Sequence, residues 1–183
     1  MSRLLVPDSG PLFSLAAADL LPLLAKFSVG ITDVVRDETI NRGLAANPSL
    51  EAQRLLAYYN QNASSIHTFT TQVGVNLAKL RALDANYRTP SNLGELSIQS
   101  LLIDLQMSDP GATPVILFED GWFLSNGAAL AKPCILLSTQ AFLEYAQEKR
   151  WISSAAQARQ LISQRRPMAY STSDAIAIPG GPR

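Results

Sequence analysis

Three short stretches of uninterrupted apolar residues, Leu4-Leu5-Val6, Val115-Ile116-Leu117-Phe118 and Cys134-Ile135-Leu136-Leu137, limit what this chain can become. A strand with one wet face alternates apolar and polar positions, whereas a run with no polar position belongs to a strand covered on both sides. Phe27–Ile31 and Ser65–Phe69 read as two further strands. The segments between them carry helical spacing. The clearest begins at Leu93, where Ile98, Leu101, Leu102 and Leu105 recur at i, i+3, i+4 and i+7. Covered strands alternating with helices predict an α/β chain, a three-layer αβα arrangement around a central, mainly parallel sheet.

Other elements follow from their end signals. Asp8-Ser9-Gly10-Pro11 offers a cap and a helix-starting proline, and Asp19 with Pro22 restarts a second short helix through Leu24. Thr32 or Asp33 caps a helix holding Val34, Val35 and Glu38, and Gly43 ends it. Pro48 opens a helix with Leu55, Leu56 and Tyr59 at core spacing, and Thr70–Leu83 turns Val73, Leu77 and Leu80 to one side. Trp122–Ala131, Gln140–Lys149 and a last helix from Ser153 or Ser154 to Gln164 complete the set. The expected domain is residues 1–164, followed from Arg165 by an irregular tail with Pro167, Ser171-Thr172-Ser173 and Pro179-Gly180-Gly181-Pro182.

With 183 residues, 47% of them apolar and 16% charged, the chain is long enough and apolar enough for one sizeable core. Its 15 basic and 15 acidic residues balance. That removes the broad positive surface of an electrostatic nucleic-acid binder, so a polyanion would have to be held locally or through a metal. The single cysteine, Cys134, excludes an internal disulfide and sits in an apolar run as a small core residue. The run at the N-terminus is too short for a signal peptide, and Leu12–Phe27 is broken by Asp19, Pro22 and Lys26, so no membrane span and a cytoplasmic location are expected.

In parallel α/β folds ligands bind outside the carboxyl ends of the strands. Asp8, Asp33, Glu119-Asp120 and Ser138-Thr139 all follow a strand and therefore share one rim. Each acid has an ordinary use: Asp8 as a cap, Glu38 beside Arg42 at i+4, Glu95 in a capping box with Asn92, Glu119-Asp120 as turn residues before Gly121. Helix phase opposes those uses for two of them. At 100° per residue Glu95 lies about 20° from Leu102 and about 60° from Ile98, and Glu38 about 40° from Val34 and about 60° from Val35. Carboxylates turned inward and toward one another are costly unless a cation neutralises them, and an all-oxygen cluster suits magnesium or manganese.

Leu5-Val6-Pro7-Asp8-Ser9-Gly10-Pro11-Leu12 resembles the opening of PIN-domain ribonucleases, and Ile31-Thr32-Asp33-Val34-Val35-Arg36-Asp37-Glu38 resembles the segment ending in a metal-site glutamate of that family. Asn92-Leu93-Gly94-Glu95-Leu96-Ser97-Ile98 is similar to the Gly-Glu helix start that carries the third acid, and Val115–Asp120 to the strand that delivers the last. Leu137-Ser138-Thr139-Gln140-Ala141-Phe142-Leu143 is similar to the closing strand-turn-helix, so the resemblance runs in order over about residues 4–152. It implies a PIN-like fold and a metal-dependent endoribonuclease of the kind that serves as the toxin of a toxin–antitoxin pair. Asp8, Glu38, Glu95 and Asp120 would be the catalytic acids. These four and Glu119 would be ligands of Mg2+ or Mn2+, with the choice between Glu119 and Asp120 open. Ser9, Ser138 and Thr139 would touch the RNA substrate. An antitoxin protein and a homodimer are the implied partners. Where relatives often place a basic residue after the final acids, this chain has Gly121-Trp122-Phe123-Leu124.

Rival functions are a PIN fold with idle acids acting as an interaction module, and an aspartyl phosphotransfer domain. The latter needs a second strand-end aspartate two residues on or a rim lysine, whereas Asp8 is followed by Ser9-Gly10-Pro11. Gly10 alone in the first strand-to-helix turn disfavours a dinucleotide site. His67, Trp122 and Trp151 read as structural. Arg36, Arg42, Arg81 and Arg88 read equally well as phosphate contacts or solvated residues, and Arg165-Arg166 is too short a basic run to imply a role.

Overall fold

In the computed structural model, which describes residues 3–127, 130–167, 169 and 176–177, the apolar runs become strands of one sheet. These are β1 (Leu4–Pro7), β2 (Ser28–Thr32), β3 (Ile66–Phe69), β4 (Val115–Phe118) and β5 (Ile135–Ser138), all parallel, with a short β6 (Ile176–Ala177) antiparallel to β5. The helices are α1 (Ser9–Ala17), α2 (Asp33–Gly43), α3 (Leu50–Asn62), α4 (Gln72–Leu83), α5 (Leu93–Ser108), α6 (Trp122–Asn126), α7 (Thr139–Glu148) and α8 (Ala155–Arg165), with a 3-10 turn at Leu21–Lys26.

The sheet order is β3-β2-β1-β4-β5-β6. The chain steps outward from β1 to β2 to β3, then returns across the sheet to β4 and steps outward the other way. Right-handed crossovers place the helices of those two journeys on opposite faces, which gives three layers. The reversal falls between β1 and β4, and such a switch point opens a crevice at the carboxyl ends of the two strands. Register there is set by Leu5 opposite Val115, Val6 opposite Ile116 and Pro7 opposite Leu117. The Asp8 amide extends the ladder by donating to the Leu117 carbonyl at 2.9 Å. Leu5, Val6, Ile116, Leu117 and Phe118 are fully buried, as uninterrupted apolar strands require.

Several expectations need adjusting. The helix expected over Trp122–Ala131 stops at Asn126, whose side-chain amide turns back to the Trp122 carbonyl at 2.8 Å just before Gly127; Ala128 and Ala129 lie outside the described residues. On α4 Leu77 is buried but Leu80 is 41% exposed, so the inward face is narrower than its aliphatic spacing implies. Arg165 closes α8 and does not begin a tail, while Ser171-Thr172-Ser173 and Pro179-Gly180-Gly181-Pro182 lie outside the described residues.

Long cations cap chain carbonyls that helices leave open. Arg54 donates to Ala16 O at 2.8 Å and Arg165 to Ala17 O, both at the end of α1. Lys132, 1% exposed, donates to Asp109 O at 2.8 Å and Pro110 O at 3.0 Å, tying the segment before β5 to the loop that precedes β4. Carbonyls buried without such donors are costly, so these side chains hold the loops in place.

Candidate metal centre

Asp8 occupies the position before α1 with extended backbone, yet its side chain makes no capping hydrogen bond to that helix. The carboxylate is 6% exposed, and its Oδ1 is buried with no hydrogen-bond partner among the described residues. A buried carboxylate oxygen without a donor is rare and calls for an explanation. Burial, followed by the charge of Glu95 and reinforced by Glu38 and Asp120, pushes the Asp8 pKa up to about 8 against the pull of the Ser9 amide.

What Oδ1 faces is the first turn of α5. Asn92 starts that helix with φ 62° in the left-handed region and its side chain caps nothing, so the expected capping box lacks its Asn92 half. Glu95 is 7% exposed and turned inward as helix phase requires. Its pKa rises to about 7, first through burial and then through a hydrogen bond and charge repulsion with Asp120 and the charge of Glu38; its own amide opposes the shift. Asp8, Glu95 and Asp120 each offer one oxygen within 4.8 Å of the other two. Gly94 makes the convergence possible: a Cβ there would lie 3.0 Å from Asp8 Oδ1 and 3.6 Å from Glu38 Oε2.

Glu38 stands at the edge of this group. It is half-buried, and burial raises its pKa, while the Ser9 hydroxyl bonds to it and the charges of Arg42 and Arg81 oppose the shift. Ser9 therefore serves Glu38. Of the adjacent acids left open by sequence, Asp120 joins the cluster and accepts the Trp122 amide at 2.9 Å, which opens α6. Glu119 is held elsewhere, its Oε1 by the Ser14 hydroxyl and its Oε2 by Arg166 at 3.0 Å. The other two hydroxyls expected at the substrate also make internal contacts. Ser138 Oγ caps α7 by accepting the Ala141 amide at 3.1 Å, and Thr139 Oγ1 donates to Phe118 O at 3.4 Å.

Two polar bridges, the first fully buried, set α2, which carries Glu38, against α5, which carries Glu95, and against α4. Ser97 Oγ donates to Gly94 O at 2.6 Å, and Thr32 Oγ1 lies 2.6 Å from Ser97 Oγ. With the Ser97 proton committed to Gly94, Thr32 is the donor between them, and it still accepts the Val35 amide at 3.3 Å as the cap of α2. Asp33 in turn accepts the Thr71 hydroxyl at 2.8 Å and the Thr71 amide at 3.1 Å, joining the starts of α2 and α4. Gly74 is needed for that latch, since a Cβ would fall 2.1 Å from Asp33 Oδ2. No sequence motif announced the Thr32–Ser97 bridge; a serine at the fifth position of α5 was its one trace.

Arg81 pairs with Asp37 at 2.7 Å and donates to Thr89 at 3.1 Å, and the Arg42 guanidinium lies 4.7 Å above the Phe13 ring. Arg36 and Arg88 are exposed. Hard oxygen donors, a carboxylate oxygen without a donor and a glycine-cleared space together form a cluster that can hold a metal ion. Comparison of the chain with protein-family models, with curated proteins and with solved structures yields no match.

Proposed function

We propose that this chain is a metal-dependent endoribonuclease of the PIN-domain kind. The observation that carries the reading is the unpartnered Asp8 Oδ1, buried beside Glu95 and Asp120 at the switch point of a parallel sheet. A structural carboxylate in that place would have acquired a donor, since leaving one buried and unpaired costs several kcal/mol. The resemblance of the four acid-bearing segments to PIN ribonucleases supports the same conclusion.

Asp8, Glu95 and Asp120, with Glu38 at the edge, would hold Mg2+ or Mn2+. A bound cation would offset the negative charge of a phosphodiester and ease deprotonation of the water that attacks it. The remaining work falls to the chain. Glu95, whose pKa burial and the neighbouring Asp120 raise to about 7, would give up its proton when the cation binds. Glu38, steadied by Ser9, presents an acceptor at the mouth, and Arg42 and Arg81 bring positive charge close to it. In a chain of zero net charge such local charge is what a polyanion can use. On this reading a toxin role, an antitoxin partner, a homodimer and a cytoplasmic location rest on the family resemblance.

A cleavage assay on single-stranded RNA tests the proposal. The wild type should cut in Mg2+ or Mn2+ and stop on chelation, while Asp8→Asn and Glu95→Gln lose nearly all activity. Equal cleavage by all three proteins, or none by the wild type freed of any bound partner in either metal, overturns it; the second result favours the idle interaction module.

A further inference from the structure

Arg166 is the residue immediately after α8, and its side chain reaches back to Glu119, the neighbour of the cluster's Asp120. One guanidinium nitrogen donates to Gly10 O at 2.8 Å, to Glu119 Oε2 at 3.0 Å and to the Ser14 hydroxyl. Ser14 donates its own O–H to Glu119 Oε1, so both carboxylate oxygens of Glu119 are engaged. The side chain of Arg166 is 22% exposed and that of Glu119 9%, so this is no loose surface pair. Gly10 is cut to fit it, because a Cβ there would lie 3.1 Å from Glu119 Oε2.

The consequence follows from extended-chain geometry. Successive side chains leaving a strand point to opposite sides, so pinning one of two neighbouring acids decides where the other goes. With Glu119 anchored beside Gly10 and Ser14, Asp120 turns toward Glu95 and Asp8. A rotation of this segment would exchange the two carboxylates. Arg166 also grips the backbone of Gly10, in the first turn of α1 and two residues beyond Asp8, so a single guanidinium joins the segments that follow β1 and β4.

We infer that Arg166 is a positioning residue of the metal centre, selecting Asp120 over Glu119 as the ligand and fixing it against Asp8. The inference rests on the metal-centre reading above. Groups behind the ligands of a metal typically change its affinity about ten- to a hundred-fold when removed.

Manganese titration by calorimetry decides the matter on the full chain, with thermal unfolding in chelator as a check on folding. Arg166→Gln should bind Mn2+ about ten-fold or more weakly than wild type, and Arg166→Lys, which keeps the charge, should recover part of the loss. Glu119→Gln should weaken binding too, and adding it to Arg166→Gln should cost little more, because the two residues act as one unit. Arg166→Gln binding within about two-fold of wild type, or the two losses adding in full, overturns the positioning role and leaves the metal centre standing. A wild type that takes up no Mn2+ overturns both. Should Arg166→Gln fail to fold, the Arg166→Lys and Glu119→Gln titrations carry the same decision.

Discussion

Thr32 and Ser97, 65 residues apart in the chain, lie oxygen to oxygen at 2.6 Å and are both fully buried. This bridge fixes the start of α2 against the first turn of α5, and so sets Glu38 relative to Glu95. Ser97→Ala leaves the Thr32 proton without an acceptor and should cost about 1–3 kcal/mol. At about 2–4 °C per kcal/mol for a chain of this size, thermal unfolding resolves the loss. Mn2+ affinity should fall with it, because α5 is freed to shift against α2; an unchanged affinity alongside a lowered Tm would confine the bridge to stability.

The metal-free chain should become less stable as pH rises. Asp8 titrates at about 8 in the folded state against 3.8 for a free aspartate, and Glu95 at about 7 against 4.5. Both folded values lie above the unfolded ones, so between about pH 4 and 8 the folded chain binds more protons than the unfolded one. Their stabilising contribution is complete below pH 4 and is lost as pH climbs through the folded values, at up to about 1.4 kcal/mol per pH unit for each group. Thermal unfolding in chelator from pH 5 to 8.5 should trace that decline, and saturating Mn2+ should flatten or reverse it. A chelated profile that rises across this range contradicts the buried cluster.

Asp8→Asn should separate stability from metal uptake. The amide keeps the shape and removes the charge that burial penalises, so at pH 8 the chelated variant should unfold at a higher temperature than wild type. The added stability that a cation gives, about 2.7 kcal/mol at a hundred times its Kd, should vanish in the variant. Paired unfolding curves with and without Mn2+ read both effects, and a variant that still gains from Mn2+ removes Asp8 from the ligand set.

Gly94→Ala is a first-turn change in α5 that propensity alone would make stabilising, by up to about 1 kcal/mol. Here the new methyl meets Asp8 Oδ1 at 3.0 Å and Val35 Cγ2 at 3.5 Å, and it lies 3.6 Å from Glu38 Oε2. It should therefore bring no gain in Tm, and metal binding should weaken because the carboxylates can no longer close together. A Tm raised by the full propensity gain, with metal affinity intact, would show that the space beside Gly94 is not the site.

Which parts of this molecule sequence reveals depends on whether the cause is local. Strands β1 and β4 declare themselves because burial on both faces leaves no polar position in them, whereas β5 shares the apolar run but keeps Ile135 and Leu137 only half-buried. The inward turn of Glu95 is legible because one helix holds both the acid and its aliphatic neighbours. The choice between Glu119 and Asp120 is not legible, since it depends on Arg166, 47 residues from Glu119 and dismissed as part of a short basic pair. Lys132 escapes notice for a similar reason: only the fold brings the carbonyls of Asp109 and Pro110 to its ammonium. Ser138, expected at the substrate, also caps the next helix through its oxygen, a use open to any serine between a strand and a helix.

The switch point also orders events in time. β1, α2 and α5 leave the ribosome carrying Asp8, Glu38 and Glu95, but the neighbour that completes one side of β1 is β4, and Asp120 arrives just behind it. Arg166 follows 46 residues after Asp120. On the nuclease reading, a half-made chain holds three mutually repelling carboxylates and no finished blade. Arming waits for the segments from β4 to Arg166, which are translated after those that carry Asp8, Glu38 and Glu95.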